Sequence, residues 1–466
     1  MMTKSLTVTS PYNDEILDEL PCDDADAIEK ALETAYSCYR NRQAWIPLHE
    51  RVSILETTMT LMSQQCDALA LQAAREGGKP LTDSQVEAKR AIDGVRLAIE
   101  TIRNESGEVV PVNSTQAGSH RLAFTQKEPI GVVVAVSAFN HPLNLIVHQV
   151  AAAVAAGCPV IVKPAEDTPI SCKVFVDLLH QAGLPKAWCQ FVLPEDLALA
   201  ERLVTDQRVA FFSFIGSAKV GWMLRSKLAP GTRCALEHGG VAPLILASDA
   251  DLKQALTAVL KGGFYHAGQV CVSVQRVFGE GAIADEFAEQ LGQLAETLEV
   301  GDPASIKTQV GPLIRPGEVE RVAEWVDEAV ATGGSLLSGG RRLENNCYSP
   351  TVVYNPATEA KVSQREIFGP VVCVYRSDSL EAALEQANAS PYAFQAAVFT
   401  RDIDKAMQVY RQIDASAVMV NDHTAFRVDG MPFAGLRESG LGVGGIPHTI
   451  RDMQIEKMLV LNSVNL

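Results

Sequence analysis

What most limits the folds open to this chain is a repeated switch of hydrophobic period. Residues 121–127 alternate apolar and polar, and residues 129–136 form a continuous apolar run of the kind a strand covered on both faces requires. Asn140-His-Pro142 breaks that run. Residues 145–156 then carry a helix pattern, 159–163 a second buried strand, 169–182 a helix and 189–193 an extended stretch. Residues 197–205 are helical again and 209–214 extended. Strands and helices alternating at this spacing predict βαβ units in a parallel, doubly wound sheet. A second series follows Gly239-Gly240, with strands at 243–246 and 275–278 and helices at 251–265 and 282–298. Ahead of both, residues 24–105 read as helices: Asp24 caps Ala25, Ile28, Ala31, Leu32 and Ala35, the pattern resumes over 51–76 and 84–103, and Gly77-Gly78-Lys-Pro80 separates the last two. The run 457–464 at the far end is β-like and needs an edge to pair with, in this chain or in a neighbour.

A chain of 466 residues exceeds one simple core, so two or three domains are expected. Its 40 Lys and Arg stand against 56 Asp and Glu, a formal charge of −16, which repels phosphate backbones and anionic lipid. No nucleic-acid or membrane partner is therefore expected. The opening residues lack the apolar core of a secretion signal. Asn144, His148, Gln149 and Pro159 interrupt the apolar stretch 143–162, which makes a poor bilayer span, so the expected location is the cytoplasm. None of the ten cysteines falls in a CxxC or CxH pair, so metal-site spacing is absent and reduced thiols are expected.

Several local patterns bear on chemistry, and each has a plainer reading beside it. Gly440-Leu-Gly-Val-Gly-Gly445 matches the dinucleotide fingerprint in letters but lacks a strand before it and a long helix after it, and is rejected. Gly216 and Ser217 follow an apolar strand and lead into a helix, where free N–H groups favour phosphate; an ordinary strand–turn–helix junction has the same look. Lys163 and Glu166 stand just past the carboxyl end of a strand, where open sheets bind ligands, although a solvated turn would read likewise. Cys271, in Gly268-Gln-Val-Cys271, lies among glycines that would let a substrate reach a thiol, and His266 is either its partner or a packed ring. Glu237 is a general base or a strand-end acid.

Taken together and in order, these pieces resemble the aldehyde dehydrogenase superfamily over nearly the whole chain. The resemblance rests on Phe139-Asn-His-Pro142, Val162-Lys-Pro-Ala-Glu166, Phe214-Ile-Gly-Ser217, Leu236-Glu-His-Gly-Gly240 with Gly268-Gln-Val-Cys271, Glu366-Ile-Phe-Gly-Pro370, and Pro432-Phe-Ala-Gly435 with Glu438-Ser-Gly440. It implies an α/β fold with two doubly wound open-sheet domains and a small β oligomerisation flap. The cofactor domain would span residues 1–110 and 130–238, the catalytic domain 239–440, and the flap 111–129 and 441–466. By the same resemblance Cys271 is the nucleophile, Glu237 the general base and Asn140 the side-chain donor of the oxyanion hole. Lys163 and Glu166 would hold the adenosine ribose, Gly216 and Ser217 the pyrophosphate, and Glu366 and Phe368 the nicotinamide side. The implied cofactor is NAD, preferred over NADP because Glu166 would face a 2′-phosphate with like charge. The implied assembly is a homodimer or homotetramer.

The implied reaction takes an aldehyde to a carboxylate through a thioester. A CoA-acylating relative would use the same thiol but typically lacks the acid at Glu237, and a non-catalytic relative would be expected to lose Cys271, Asn140 or Glu237. The substrate pocket would include Asn144, His148, Val270, Val272, Phe426 and Arg427. It is more polar than a tunnel for long aliphatic aldehydes and suits a small, polar one of the lactaldehyde, glycolaldehyde or semialdehyde type. His238 and Val241 depart from the family's usual Leu and Lys, and Ile215 from a Thr.

Overall fold

The computed structural model describes residues 4–466. An antiparallel hairpin, Ser5–Thr9 with Ile16–Pro21, opens the chain. Helix Ala25–Arg40 follows, with the Asp24 carboxylate accepting from the Ala27 N–H at 2.9 Å, and it buries the Ile28, Ala31, Leu32 and Ala35 stripe. The single pattern over 51–76 proves to be two helices, Leu48–Gln64 and Cys66–Gly77. They part at Gln65, where neither Gly nor Pro marks the break. Gly78 ends the second with φ +70, a conformation that suits glycine, and a Cβ there would meet the Pro312 ring at 2.9 Å.

The first large sheet has six strands in the order Gly440–Leu441, Arg233–Glu237, Val209–Ile215, Val132–Val136, Val160–Lys163, Cys189–Phe191. All neighbours run parallel except the first pair. From Val132–Val136 the chain winds outward through Val160–Lys163 and Cys189–Phe191, then returns to the other side through Val209–Ile215. The carboxyl ends of the two strands flanking this reversal diverge and leave a crevice. Residues 137–140, Lys163, Gly216 and Glu237 therefore lie along one edge. The second sheet has seven strands, Ser335–Ser338, Thr351–Tyr354, Val371–Ser377, Arg276–Glu280, Pro243–Leu246, Gln395–Phe399 and Ala417–Val420, parallel but for the first. Its strands are buried on both faces, as Leu244, Ile245, Val277, Val372 and Val398 show.

A third, three-stranded sheet has Arg121–Pro129 at its centre, paired with Gln454–Asn462 on one side and Val109–Val110 on the other. The terminal strand thus finds a partner within its own chain, while its other edge is open and Met458, Leu459, Val460 and Leu461 are exposed. Only part of the segment 441–466, assigned by resemblance to the flap, belongs to this sheet. Ile446, Ile450 and Met453 pack into the core of the first sheet, because the short helix Ile446–Asp452 carries its apolar face inward. Among the described residues no helix is long and apolar enough to cross a membrane.

The expected regular helix over 145–156 is also interrupted. It begins at Asn144, opens into a π turn at Val147–Ala151 and returns to α geometry at Ala152–Ala156. Gln149 lies in the wide turn and donates to the carbonyls of Val136 and Ser213, stapling the helix to the two central strands. Such turns frequently accompany functional sites, and this one carries His148.

The start of that helix is held by a buried ion pair. Lys79 Nζ meets Glu87 Oε2 at 2.5 Å with both side chains 1% exposed, and Glu87 Oε1 accepts from the N–H groups of Leu143 and Asn144, each at 3.0 Å. Glu87 is thus the acceptor for donors that the helix cannot satisfy itself. Removing it would strand Lys79 and both N–H groups in a dry site. Glu87→Ala should therefore lose about 3–5 kcal/mol of stability, read from urea unfolding. The double replacement Lys79→Met with Glu87→Met should lose less than the single change, since no buried charge remains.

Candidate active site

The loop bearing Cys271 leaves helix Leu252–Phe264 through three consecutive left-handed residues, His266 (φ 50), Ala267 (φ 52) and Gly268 (φ 68). At Gly268 a Cβ would lie 2.1 Å from the Gly369 carbonyl oxygen, so the position admits only glycine. Gln269 then fixes the loop: its Nε2 donates to Pro312 O at 3.2 Å and its Oε1 accepts from Ile314 N–H at 3.0 Å. The Gln269 carbonyl accepts from Asn140 Nδ2 at 2.9 Å. That bond joins the crevice of the first sheet to the thiol loop of the second. It occupies one amide N–H of Asn140, leaving the other for a ligand.

Burial pushes the Cys271 thiol up to about 12; Arg427 acts in the opposite direction, while Glu366 and Glu237 add to the rise. Glu237, at the end of its strand, is also pushed above the carboxylate range by burial, with Arg427 the opposing charge. Its carboxylate lies against Gly444, where a Cβ would come within 2.1 Å of Oε1. The glycine run that imitates a dinucleotide fingerprint thus makes an edge strand, Gly440–Leu441, and clears room for this acid. His266 is a packed ring. Both its nitrogens are buried without partners, its ring lies edge-on to His141 at 6.2 Å, and burial with Lys79 nearby keeps it well below the usual imidazole range.

The opposite wall has the makings of a dinucleotide site. Lys163 Nζ and Glu166 Oε1 are 2.6 Å apart, the lysine buried and the acid half-exposed. Burial pushes Glu166 up, but the charge and hydrogen bond of Lys163 outweigh it and hold the carboxyl below its ordinary value. Strand Val209–Ile215 runs through Gly216 into helix Ala218–Arg225, with Ser217 at its N-cap. Glu366 receives the Gly240 N–H, keeps a buried Oε1 without a partner, and is pushed by burial up to about 8. Phe368 has φ 49 and meets the Phe139 ring edge-on at 5.7 Å. A helix N-terminus for phosphate, an acid beside a lysine, and an unsatisfied carboxylate for hydroxyls match the three parts of a nicotinamide dinucleotide.

The two departures beside Glu237 have structural partners. His238 Nδ1 bonds the Gly216 carbonyl at 2.8 Å, and the ring lies edge-on to both Phe214 and Trp222. A Cβ at Gly221 would be 2.0 Å from His238 Cε1, so the imidazole and that glycine are matched. Val241 carries no functional side chain here; its carbonyl accepts from the buried Arg276 at 3.0 Å.

Around the thiol, Val270 and Val272 pack with Phe394 and Phe433, and Tyr265 and Ala425 complete the apolar lining. Phe426, expected in the pocket, is 45% exposed and stands outside this cluster; Phe433 fills the inner position. Asn144, His148 and Arg427 do converge, on a residue that sequence reasoning missed. The buried Asp429 accepts from Arg90 through two bonds (3.0 and 2.8 Å), from Asn144 Nδ2 at 3.0 Å and from His148 Nε2 at 2.7 Å. Burial works against its charge, yet His148 and Arg90 hold Asp429 far below the carboxylate range. Burial pushes His148 down to about 4 despite this neighbour, so the ring is neutral near pH 7 and donates its Nε2–H. Arg427 lies over the Phe433 ring, Cζ 3.5 Å from its centre, with its Nε unpartnered.

An open-sheet crevice furnished for a dinucleotide, facing a partly buried thiol, a partly buried acid and a buried carboxamide, defines an NAD(P)-dependent oxidoreductase. The sequence profile of the aldehyde dehydrogenase family matches residues 2–459, and the chain belongs to that family. The 3-sulfolactaldehyde dehydrogenase of Priestia aryabhattai is 37% identical over 459 residues, covering 98% of this chain and 95% of that protein. The crystal structure of aldehyde dehydrogenase 21 from Physcomitrella patens, in complex with the reaction product succinate, superposes with a TM-score of 0.95 at 33% identity, covering 99% of this chain and 96% of that one. A glyceraldehyde-3-phosphate dehydrogenase of Methanocaldococcus jannaschii complexed with NADP gives 0.93 at 32% identity, covering 99% of this chain and all of that one.

A thiol pushed up to about 12 is overwhelmingly protonated in the free protein at neutral pH. Inactivation by iodoacetamide should accelerate about tenfold per pH unit between pH 7 and 9 without levelling off. A plateau below pH 8 in the inactivation rate would show that the free protein already holds a thiolate.

Proposed function

We propose that the chain oxidises a small, polar aldehyde carrying a hydroxyl or anionic group to the carboxylate, through a thioester on Cys271. The observation that carries this reading is Arg427, a guanidinium over Phe433 that acts on the charges of both Cys271 and Glu237. Arg427 Nε and Asn144 Oδ1 are buried without partners, and a tunnel holding such groups penalises substrates that cannot pair with them. The relative named for sulfolactaldehyde and the structure holding succinate support a small acidic substrate.

In this reading the Cys271 thiol gives its proton to solvent water as the substrate binds, and the resulting thiolate attacks the carbonyl carbon. Asn140 Nδ2 and the Cys271 backbone N–H donate to the oxygen as it gains charge. When bound, the nicotinamide supplies the hydride acceptor that converts the adduct to a thioester. Glu237 then takes a proton from water, which attacks the thioester carbon and releases the carboxylate with return of the thiol. Its raised pKa suits it to hold that proton, and its burial keeps bulk water from competing. Lys163 and Glu166 grip the adenosine ribose, Gly216 and Ser217 the pyrophosphate, and Glu366 and Phe368 the nicotinamide side. The six-stranded sheet forms the cofactor domain, the seven-stranded sheet the catalytic domain, and the three-stranded sheet a flap. The flap's open, apolar Gln454–Asn462 edge supports assembly into a homodimer or homotetramer.

The division of labour between Cys271 and Glu237 is tested by single-turnover kinetics. Cys271→Ala should retain less than about a thousandth of kcat. Glu237→Gln should still give a burst of NADH and accumulate an acyl-enzyme visible by intact mass. Loss of the burst would assign Glu237 to activating the thiol instead. Cofactor choice is tested at Glu166, whose carboxylate would oppose a 2′-phosphate by about 1–3 kcal/mol. The wild type should favour NAD over NADP in kcat/KM, and Glu166→Ala should narrow the gap chiefly by improving NADP. A ratio that the substitution leaves unmoved would remove Glu166 from ribose recognition.

A further inference from the structure

Resting on the reading of Arg427 as a contact for a charged substrate, the arrangement around Asp429 decides how much charge the substrate brings. Two arginines approach the tunnel, but they are not equivalent. Arg90 is locked onto Asp429 by a two-pronged bond, Nε to Oδ2 at 3.0 Å and Nη2 to Oδ1 at 2.8 Å, so its charge is compensated on the spot. His148 donates Nε2–H to the same carboxylate at 2.7 Å, which leaves Nδ1 as an acceptor, and Arg427 Nη2 lies 3.5 Å from it. The chain of contacts runs from Arg427 through a neutral imidazole to Asp429. Arg427 therefore stays near the carboxylate without pairing with it, and among the described residues no carboxylate lies within ion-pair distance of its guanidinium. The Phe433 ring beneath it fixes the plane of the guanidinium from the other side.

We propose that this arrangement is a receptor for one negative charge: Arg427 binds a monoanionic tail, carboxylate or sulfonate, while His148 and Asp429 position Arg427 and keep Arg90 out of play, so that a phosphate dianion is disfavoured. A dianion would bring one charge more than Arg427 answers, in a space that already holds the Asp429 carboxylate. Asp429 and His148 act through Arg427 and are positioning residues; neither needs to touch the substrate.

The experiment compares kcat/KM for three-carbon aldehydes ending in a sulfonate or carboxylate, in a phosphate, or in a neutral hydroxyl. It is run at pH 8, where the phosphate is a dianion because its second pKa is about 6. The wild type should favour the monoanions over both other classes by at least about tenfold. Arg427→Gln should bring the monoanion-to-neutral ratio down to about one. His148→Gln should raise KM for the monoanion more than for the neutral aldehyde, with kcat for the monoanion held within about threefold. Asp429→Asn and Arg90→Gln should move specificity in opposite directions. The first frees Arg90 and raises the phosphate-to-monoanion ratio about tenfold, and the second leaves Asp429 to draw on Arg427 and lowers the monoanion-to-neutral ratio. A merely structural role for the pair would lower all classes together. The urea-unfolding midpoint of each preparation is the folding control, and the opposite signs cannot come from partial unfolding. A wild type that favours phosphate, or ratios unmoved by Asp429→Asn and Arg90→Gln, overturns the proposal. A wild type that favours the neutral aldehyde over both anions overturns the charged-substrate reading as well.

Discussion

The meeting of the two large sheets depends on a charge pair that an apolar interior would ordinarily reject. Lys79 and Glu87 are buried almost completely, and the desolvation of both must be recovered from their contact and from the further bonds that Glu87 makes. Glu87 recovers it by also receiving the Leu143 and Asn144 N–H groups, where a dipole end already favours negative charge. This fixes the loop 139–144, and with it Asn140. Asn140 in turn reaches the Gln269 carbonyl two residues before the thiol. One buried pair thus orients the Asn140 carboxamide of the first sheet relative to the Cys271 loop of the second. A packed hydrophobic pair of the same volume would escape the desolvation cost, but it would offer no acceptor for those N–H groups.

The same dryness shapes the titrations across the site. Cys271, Glu237 and Glu366 are all displaced toward their neutral forms, and burial is the leading cause for each. Arg427 is the counterweight for the first two. A site arranged this way disfavours charge on these three groups, and each acquired charge then acts at short range in a poorly screened space. The contrast with Asp429 is instructive. It is buried too, yet remains ionised because it collects donors from Arg90 on helix Leu81–Arg103, from Asn144 and from His148 in the π turn.

What the sequence disclosed, and what it withheld, follows from the range of the interactions involved. Asn140 was singled out only by the family resemblance, whereas the positions of Cys271, Glu237, Lys163 and Glu166 at strand or loop boundaries were legible because period and glycine content are written locally. The parallel strands were legible for the same reason. Asp429 was not: its partners Arg90 and His148 lie hundreds of residues away, and no spacing rule joins them. The π turn at Val147–Ala151 is set by where Gln149 finds carbonyls on two strands, so the apolar pattern reads as one unbroken helix. Phe426 and Phe433 are both aromatic and only a few residues apart. Which one faces the thiol depends on the path of the intervening turn, anchored where Gly444 and Phe433 exchange backbone bonds at 2.6 and 3.0 Å.

That turn and the left-handed run His266-Ala267-Gly268 show how the protein holds reactive groups in conformations the chain would not choose. Positive φ at His266 and Ala267 costs about 1–3 kcal/mol each. The offset lies immediately downstream, in the Gln269 bonds to Pro312, Ile314 and Asn140 and in the Ser273 Oγ and Val274 N–H bonds to Gly262, each worth about 1 kcal/mol. His266 gains nothing chemical from its position: its ring is sealed, neutral and unpartnered, while its backbone bends the chain. The strain is thus carried a few residues ahead of the thiol, and Cys271 itself stays outside the strained run. Relaxing the run would cost no catalytic group, yet it would release the carbonyl that holds Asn140 and so uncouple the two halves of the site.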